Sequence, residues 1–213
     1  AASGVIYQWS GPAGFTSNQR TITPPVAGTY SVVVTAPNAC TSTATVMVST
    51  VPAVQMPANV TLCDGDLLNV NFQGSAGANF DWTSSNPAVG LPASGSGNIR
   101  RTLFSATGNE ETSVLIVIPT YTGCAGSPQT FTVTVRPRPR AEISGGFWAC
   151  AGESITLTAS GGTGYRWNNG TTTAANTVTP QTASTYTVTV TAANGCTAVR
   201  DIVIGRGLDV SGV

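Results

Sequence analysis

Five cysteines, Cys40, Cys63, Cys124, Cys150 and Cys196, are the residues of this sequence best suited to covalent chemistry. They have little to work with. The chain holds no His, so a Ser-His-Asp or Cys-His arrangement is out of reach, as are the usual zinc ligand sets. All nine basic residues are Arg, and without Lys neither a Schiff base nor a Ser-Lys dyad can form. Carboxylate pairs of the kind glycosidases use are limited to Asp64/Asp66 and Glu110/Glu111. The first pair falls in a turn beside a cysteine and the second in the polar stretch "TGNEETS", which reads as solvated loop acid. Neither has the oxygen-ligand density of a calcium loop. "SGGTG" at 160–164 lies between strands and opens no helix, so it is no phosphate cradle. The expectation is a protein with no catalytic residues, no cofactor and no metal. Its cysteines are well spaced, lack a Cys-x-x-Cys motif and point to disulfides in an oxidising, extracellular setting.

The elements that carry these cysteines read as strands. Apolar residues make up 41% of the chain, enough for real cores, whereas charged residues make up only 8% against the roughly 25% usual for globular proteins. Nine acids balance nine Arg, so net charge steers the chain toward neither nucleic acid nor an anionic membrane. The apolar run "VLIVIP" at 114–119 is of strand length, far short of the roughly 20 residues that span a bilayer. "SITLTAS", "TYTVTVTA" and "QTFTVTV" alternate with period two, which sends one face to a core and the other to water. "ANG" before Cys196 and "TYTG" before Cys124 are hairpin turns by composition.

The chain also repeats itself. Residues 21–48 laid on 177–204 give roughly 13 identities in 28 ungapped positions, which marks a duplication rather than shared composition. "CDGDLLNVNF" at 63–72 matches "CAGESITLTA" at 150–159, and "YQW" (7–9), "FDW" (80–82) and "YRW" (165–167) occupy one recurring slot. The expected fold is therefore all-β: three tandem immunoglobulin-like β-sandwich modules, the first incomplete at its N-terminus. The boundaries are 1–51, 52–138 and 139–206, with 207–213 as a tail or linker. Leu208, Val210 and Val213 in that tail form a weak strand signal.

Within this plan Trp9, Trp82 and Trp167, with Tyr30 and Tyr186, are expected in the cores. Carbohydrate stacking by the aromatic-x-Trp pairs is the competing reading. Trp148, in "GGFWAC", falls outside the recurring slot and is the candidate for an exposed contact. Cys63–Cys124 and Cys150–Cys196 are the natural pairs within modules, with Cys40 unpaired. Cys40 aligns with Cys196, so its partner should precede an opening strand that module one lacks. Either the chain is part of a longer array, or another chain supplies the strand, as in donor-strand complementation. "TVPAVQMPA" (50–58) and "VRPRPRA" (135–141) are stiff, proline-bearing linkers. The Arg136, Arg138, Arg140 run within the second reads as a solvated spacer, with a grip on a polyanion as the alternative.

These motifs resemble a known group. Cys-x-Gly-acid, aromatic-x-Trp, Thr-Tyr-x-Val-x-Val-Thr and Asn-Gly-Cys are similar to the immunoglobulin-like repeats of giant Bacteroidota surface proteins. "TLCDGD", "FDWTSSNPAVG" and "TGCAGSPQTFTVTVRPRP" in module two resemble the PKD-like repeats of the same proteins. The resemblance implies gliding-motility-associated adhesins exported by type IX secretion. It implies a non-enzymatic stalk or filament at the cell surface, whose partners are further modules, neighbouring copies, or a glycan or other surface ligand, with no nucleic acid and no membrane insertion. Two alternatives stand beside it: a filament subunit completed by strand donation, and accessory modules of a secreted polysaccharide-degrading enzyme.

Overall fold

The period-two alternation becomes strands throughout. The computed structural model describes residues 4–150 and 152–206, with the side chain of Arg206 excepted. In the strand Gln129–Arg136, Phe131, Val133 and Val135 turn inward while the Thr residues between them face out. In Glu111–Tyr121 the inward set is Ser113, Leu115, Val117 and Pro119. Thr and Val suit such half-buried strands because β-branched side chains pack well on a pleated surface. The fold is all-β, with two short 3-10 turns at Pro12–Gly14 and Pro87–Val89.

Module two is built on a sheet ordered Ser94–Ser96, Asn79–Ser84, Glu111–Tyr121, Gln129–Arg136, Val60–Cys63, with Cys124–Ala125 paired to the end of the third strand. Leu67–Val70 pairs with Ile99–Thr102 in a second layer. Between the layers sit Leu68, Val70, Phe72, Trp82, Leu115, Val117, Phe131 and Val133, all buried. Module three repeats the design. The sheet Trp148–Ala149, Thr197–Arg206, Ser184–Thr191, Gly164–Trp167 faces the three strands Glu142–Ser144, Ile155–Ser160 and Ala175–Val178. Leu157, Trp167, Val188, Val190 and Ile204 fill the space between them.

One feature of the topology separates the cysteines of modules two and three. In both modules the strand ahead of the first cysteine, second in chain order after Val54–Gln55 or Glu142–Ser144, runs parallel to the last. Val60–Cys63 pairs with Val133–Arg136, and Trp148–Ala149 pairs with Gly205–Arg206. A cysteine at the end of that parallel strand therefore lies at the far end of the last strand, away from the hairpin in which the last strand begins.

Module one is a single sheet, ordered Thr16–Ser17, Ile6–Ser10, Gly28–Thr35, Thr41–Val48. Among the described residues no second sheet faces it. Tyr30 is nonetheless fully buried, with Phe15 edge-on at 5.3 Å between ring centroids and its hydroxyl donating to the Val26 carbonyl at 2.8 Å. Gly11 allows this, since a Cβ there would lie 2.4 Å from the Tyr30 ring.

Candidate interface between the modules

The sequence-based cysteine pairs do not form. The disulfide is Cys63–Cys196, which joins module two to module three across 133 residues, with a Cα–Cα distance of 5.7 Å. Cys124 and Cys150, expected in disulfides, are free and exposed, as is Cys40. The parallel strand ahead of Cys63 and of Cys150 explains both corrections. Cys196 precedes the ten-residue strand Thr197–Arg206, whereas Cys150 follows Ala149, which sits opposite Arg206. Ten strand residues span about 33 Å, and bridged Cα atoms lie within about 7 Å. In module two Cys63 pairs opposite Arg136, while Cys124 sits opposite Tyr121 beyond the other end of the eight-residue strand Gln129–Arg136.

The hairpin that carries Cys196 is shaped for this contact. Asn194 accepts the Cys196 N–H on Oδ1 at 3.0 Å, and Gly195 takes φ 88°, which its missing Cβ permits. The Asn194 amide then donates to the Pro137 carbonyl at 2.9 Å, so one side chain both shapes the hairpin and holds the linker. On the module-two side, Asp66 accepts the Cys63 N–H at 2.9 Å and closes the Cys-x-Gly-acid turn.

Two members of the Arg run, Arg136 and Arg138, complete the joint and are not part of a solvated spacer. Arg138 donates from Nε to the Asp64 carbonyl, from Nη1 to the Thr197 carbonyl at 2.7 Å, and from Nη2 to Asp66 Oδ1. A single guanidinium thus grips both modules through the planar fork that distinguishes Arg from Lys. Arg136 pairs with Glu110 at 2.8 Å and donates to the Asn194 carbonyl at 3.3 Å. Arg140, 92% exposed at its side chain, reaches only Glu142. The proline ring fixes φ and lacks an N–H, so Pro137 and Pro139 favour an extended backbone between Arg136 and Arg140.

Three of the four paired acids, Asp66, Glu110 and Glu111, are likewise spent on structure. Glu110 holds Arg136, and Glu111 accepts from Thr107 and Asn86. These hydrogen bonds, Thr107's first and Asn86's second, lower the Glu111 pKa from its ordinary value. Asp66 serves the turn and Arg138. Among the described residues no group of three His, Cys, Asp or Glu side chains could hold a metal ion.

The aromatic residues divide. Trp82 and Trp167 lie in the cores, and Tyr186 packs half-buried against the module-three core. Trp9 does not share their burial. It is half-buried on the single sheet of module one, against which no second sheet packs among the described residues. All three indoles still donate to a backbone carbonyl of a crossing loop: Trp9 to Gln19, Trp82 to Gly97 and Trp167 to Thr173. Trp148 is 71% exposed beside Phe147, also exposed, and its ring lies against Gly205. The tail strand signal at Leu208, Val210 and Val213 falls outside the described residues.

Sequence reasoning missed Arg138, Asn194 and Pro137 as joint residues. The Asn-x-Cys hairpin was visible, but its target was not. The apolar stretches "NVTLC" and "GFWAC" ahead of each cysteine were the available signal for an opening strand.

Residues 60–139 match the family model of the PKD-like domain. Module two is thus PKD-like, and it stands in tandem with all-β modules on either side. No curated protein matches the chain. Similar solved structures include Sidekick-1 immunoglobulin domains 1–5, at 13% identity over 95% of this chain and 52% of that one, with a TM-score of 0.38. A Bacteroides ovatus mixed-linkage glucan utilization locus protein, SGBP-B, solved with a mixed-linkage heptasaccharide, is 13% identical over 75% of this chain and 48% of its own, TM-score 0.32. Mouse Cadherin-23 EC22-24 is 10% identical over 95% and 86%, TM-score 0.33. The chain spans about half the length of the first two.

Proposed function

We propose that this chain is a non-catalytic, extracellular segment of a cell-surface adhesin stalk, in which consecutive modules are locked end to end. The observation that carries this reading is the joint itself. A disulfide, an Arg138 fork and the Asn194 amide all cross between modules two and three. A catalytic scaffold has no need of such a lock, whereas a stalk that transmits force does. The disulfide supports an oxidising compartment, and the sequence motifs support a Bacteroidota surface protein exported by type IX secretion. The structural employment of Glu110, Glu111 and Asp66 supports the absence of catalysis.

The test is labelling of intact producing cells with an antibody to modules two and three. Labelling before permeabilisation is the expected result. Signal that appears only after permeabilisation would overturn the reading.

Phe147 and Trp148 favour a second reading, glycan contact by an accessory module, because two neighbouring exposed aromatic side chains can stack on sugar rings. Binding to an oligosaccharide panel that vanishes in Trp148→Ala would support it; identical profiles for both proteins would dismiss it.

A further inference from the structure

The joint between modules two and three has two halves, and each half recurs, unpartnered among the described residues, elsewhere on the chain. The first half is the hairpin that presents Cys196. Its counterpart is the Cys40 hairpin of module one. Cys40 receives the same cap, with its N–H donating to Asn38 Oδ1 at 3.2 Å against 3.0 Å for Cys196 and Asn194. Both hairpins close alike, with the Ala36 N–H donating to the Cys40 carbonyl at 2.8 Å and the Ala192 N–H to the Cys196 carbonyl at 2.9 Å. Ala39 takes φ 66° where Gly195 takes 88°. A left-handed Ala is disfavoured by about 1 kcal/mol or more, a cost that Gly195 does not bear.

The second half is the turn that follows Cys63. Its counterpart follows Cys150. The Asp66 N–H donates to the Cys63 carbonyl at 2.9 Å, and the Glu153 N–H to the Cys150 carbonyl at 3.1 Å. Gly65 and Gly152 adopt φ 86° and 80°. Cys63 ends, and Cys150 directly follows, a strand that runs parallel to the end of the last strand, and Glu153 occupies the position from which Asp66 accepts the cysteine N–H in module two. Cys124 lacks these features. It follows a Thr122–Gly123 turn with no Asn cap, at the end of module two that touches Ser49 of module one.

We propose that the Cys40 hairpin of one copy of this chain docks on the Cys150 turn of a second copy and bonds to it, reproducing the Cys63–Cys196 joint between molecules. The contact is heterologous, so it leaves one free half at each end and extends into linear chains rather than closing into a dimer. The oxidant is a low-molecular-weight disulfide such as oxidised glutathione. One cysteine thiolate attacks it and expels a glutathione thiolate. The second cysteine thiolate then displaces the other glutathione, so two thiols are oxidised to one disulfide and one glutathione disulfide is reduced to two thiols. The inference goes beyond the stalk reading and stands without it.

The test incubates the full chain in a glutathione redox buffer and reads size by non-reducing electrophoresis and light scattering. The expected result is a ladder of multiples that reductant collapses. Cys40→Ser and Cys150→Ser should each remain monomeric alone, and their mixture should stop at a dimer. Cys124→Ser should form the ladder as the parent does. Three results would each overturn the proposal: no ladder in the parent, a homodimer from either single variant, or loss of the ladder in Cys124→Ser. An exposed site tolerates Ser, and an intact Cys63–Cys196 link in each variant, read by mass, shows that folding is retained.

Discussion

Cys63 and Cys196 stand 133 residues apart in sequence and 5.7 Å apart between Cα atoms, each at the end of a different module. The bond therefore couples two cores that have no buried residues in common. Small modules gain from such coupling, because the fraction of surface a domain buries falls with its size. In the chain-entropy account, closing a loop of over 100 residues contributes about 4.7 kcal/mol. Cys196→Ser should accordingly split one thermal transition for modules two and three into two, the lower shifted by several degrees. Scanning calorimetry reads this, and an unchanged single transition would contradict it.

Arg138 should matter most when the disulfide is open. Its ion pair with Asp66 is about one-third exposed on both sides, and exposed pairs are worth about 0–1 kcal/mol. With the disulfide intact, Arg138→Ala should lower stability by no more than about 1 kcal/mol. After reduction the same substitution should release the modules from one another, visible as a broader distance distribution between labels on modules two and three. Equal distributions for reduced parent and reduced variant would count against the fork as a clamp.

The three tryptophans give a graded series. Trp167 is 1% exposed and Trp82 7%, and truncating such a residue to Ala costs about 3–5 kcal/mol. Trp9 is only partly buried on a single sheet, so Trp9→Ala should cost clearly less than either. Gly95→Ala should rank with the large effects, since a Cβ there would fall 2.2 Å from the Trp82 ring. Urea midpoints for the four variants check this order.

Much of this was legible in the sequence. Alternation gave "QTFTVTV" and "TYTVTVTA" their strands and faces, and recurrence of aromatic-x-Trp placed Trp82 and Trp167 in cores. The joint was not legible, for a physical reason. Period-two patterns report which face of a strand is buried, not which strand lies beside it or in which direction. The parallel pairing of Val60–Cys63 with Val133–Arg136 is a non-local choice that carries Cys63 to the opposite end of the module from Cys124. Likewise Arg138 looks like any solvated Arg until the hairpin of another module arrives at its side. Trp9 is less buried than Trp82 or Trp167 because among the described residues no second sheet packs on module one, which the strand's own sequence does not record.

Acid should weaken module two in a way that Glu111 controls. Thr107 and Asn86 hydrogen-bond its carboxylate and hold its pKa below the ordinary 4.5. A carboxylate whose folded pKa is depressed contributes stability above its unfolded value and loses it as pH falls through the folded value. Denaturant midpoints should therefore fall as pH drops below about 4.5. Glu111→Gln should show a shallower decline over that window; matching slopes would remove Glu111 from the account.

Tryptic mapping of the non-reduced Cys40→Ser protein tests the joint most directly. The Arg–Pro bonds at Arg136 and Arg138 resist trypsin, so Cys63, Cys124, Cys150 and Cys196 fall in separate peptides, 21–100, 102–140, 141–166 and 167–200. The account predicts that 21–100 is linked to 167–200, with 102–140 and 141–166 carrying free thiols. Links of 21–100 to 102–140 and of 141–166 to 167–200 would place each disulfide within a module and contradict it.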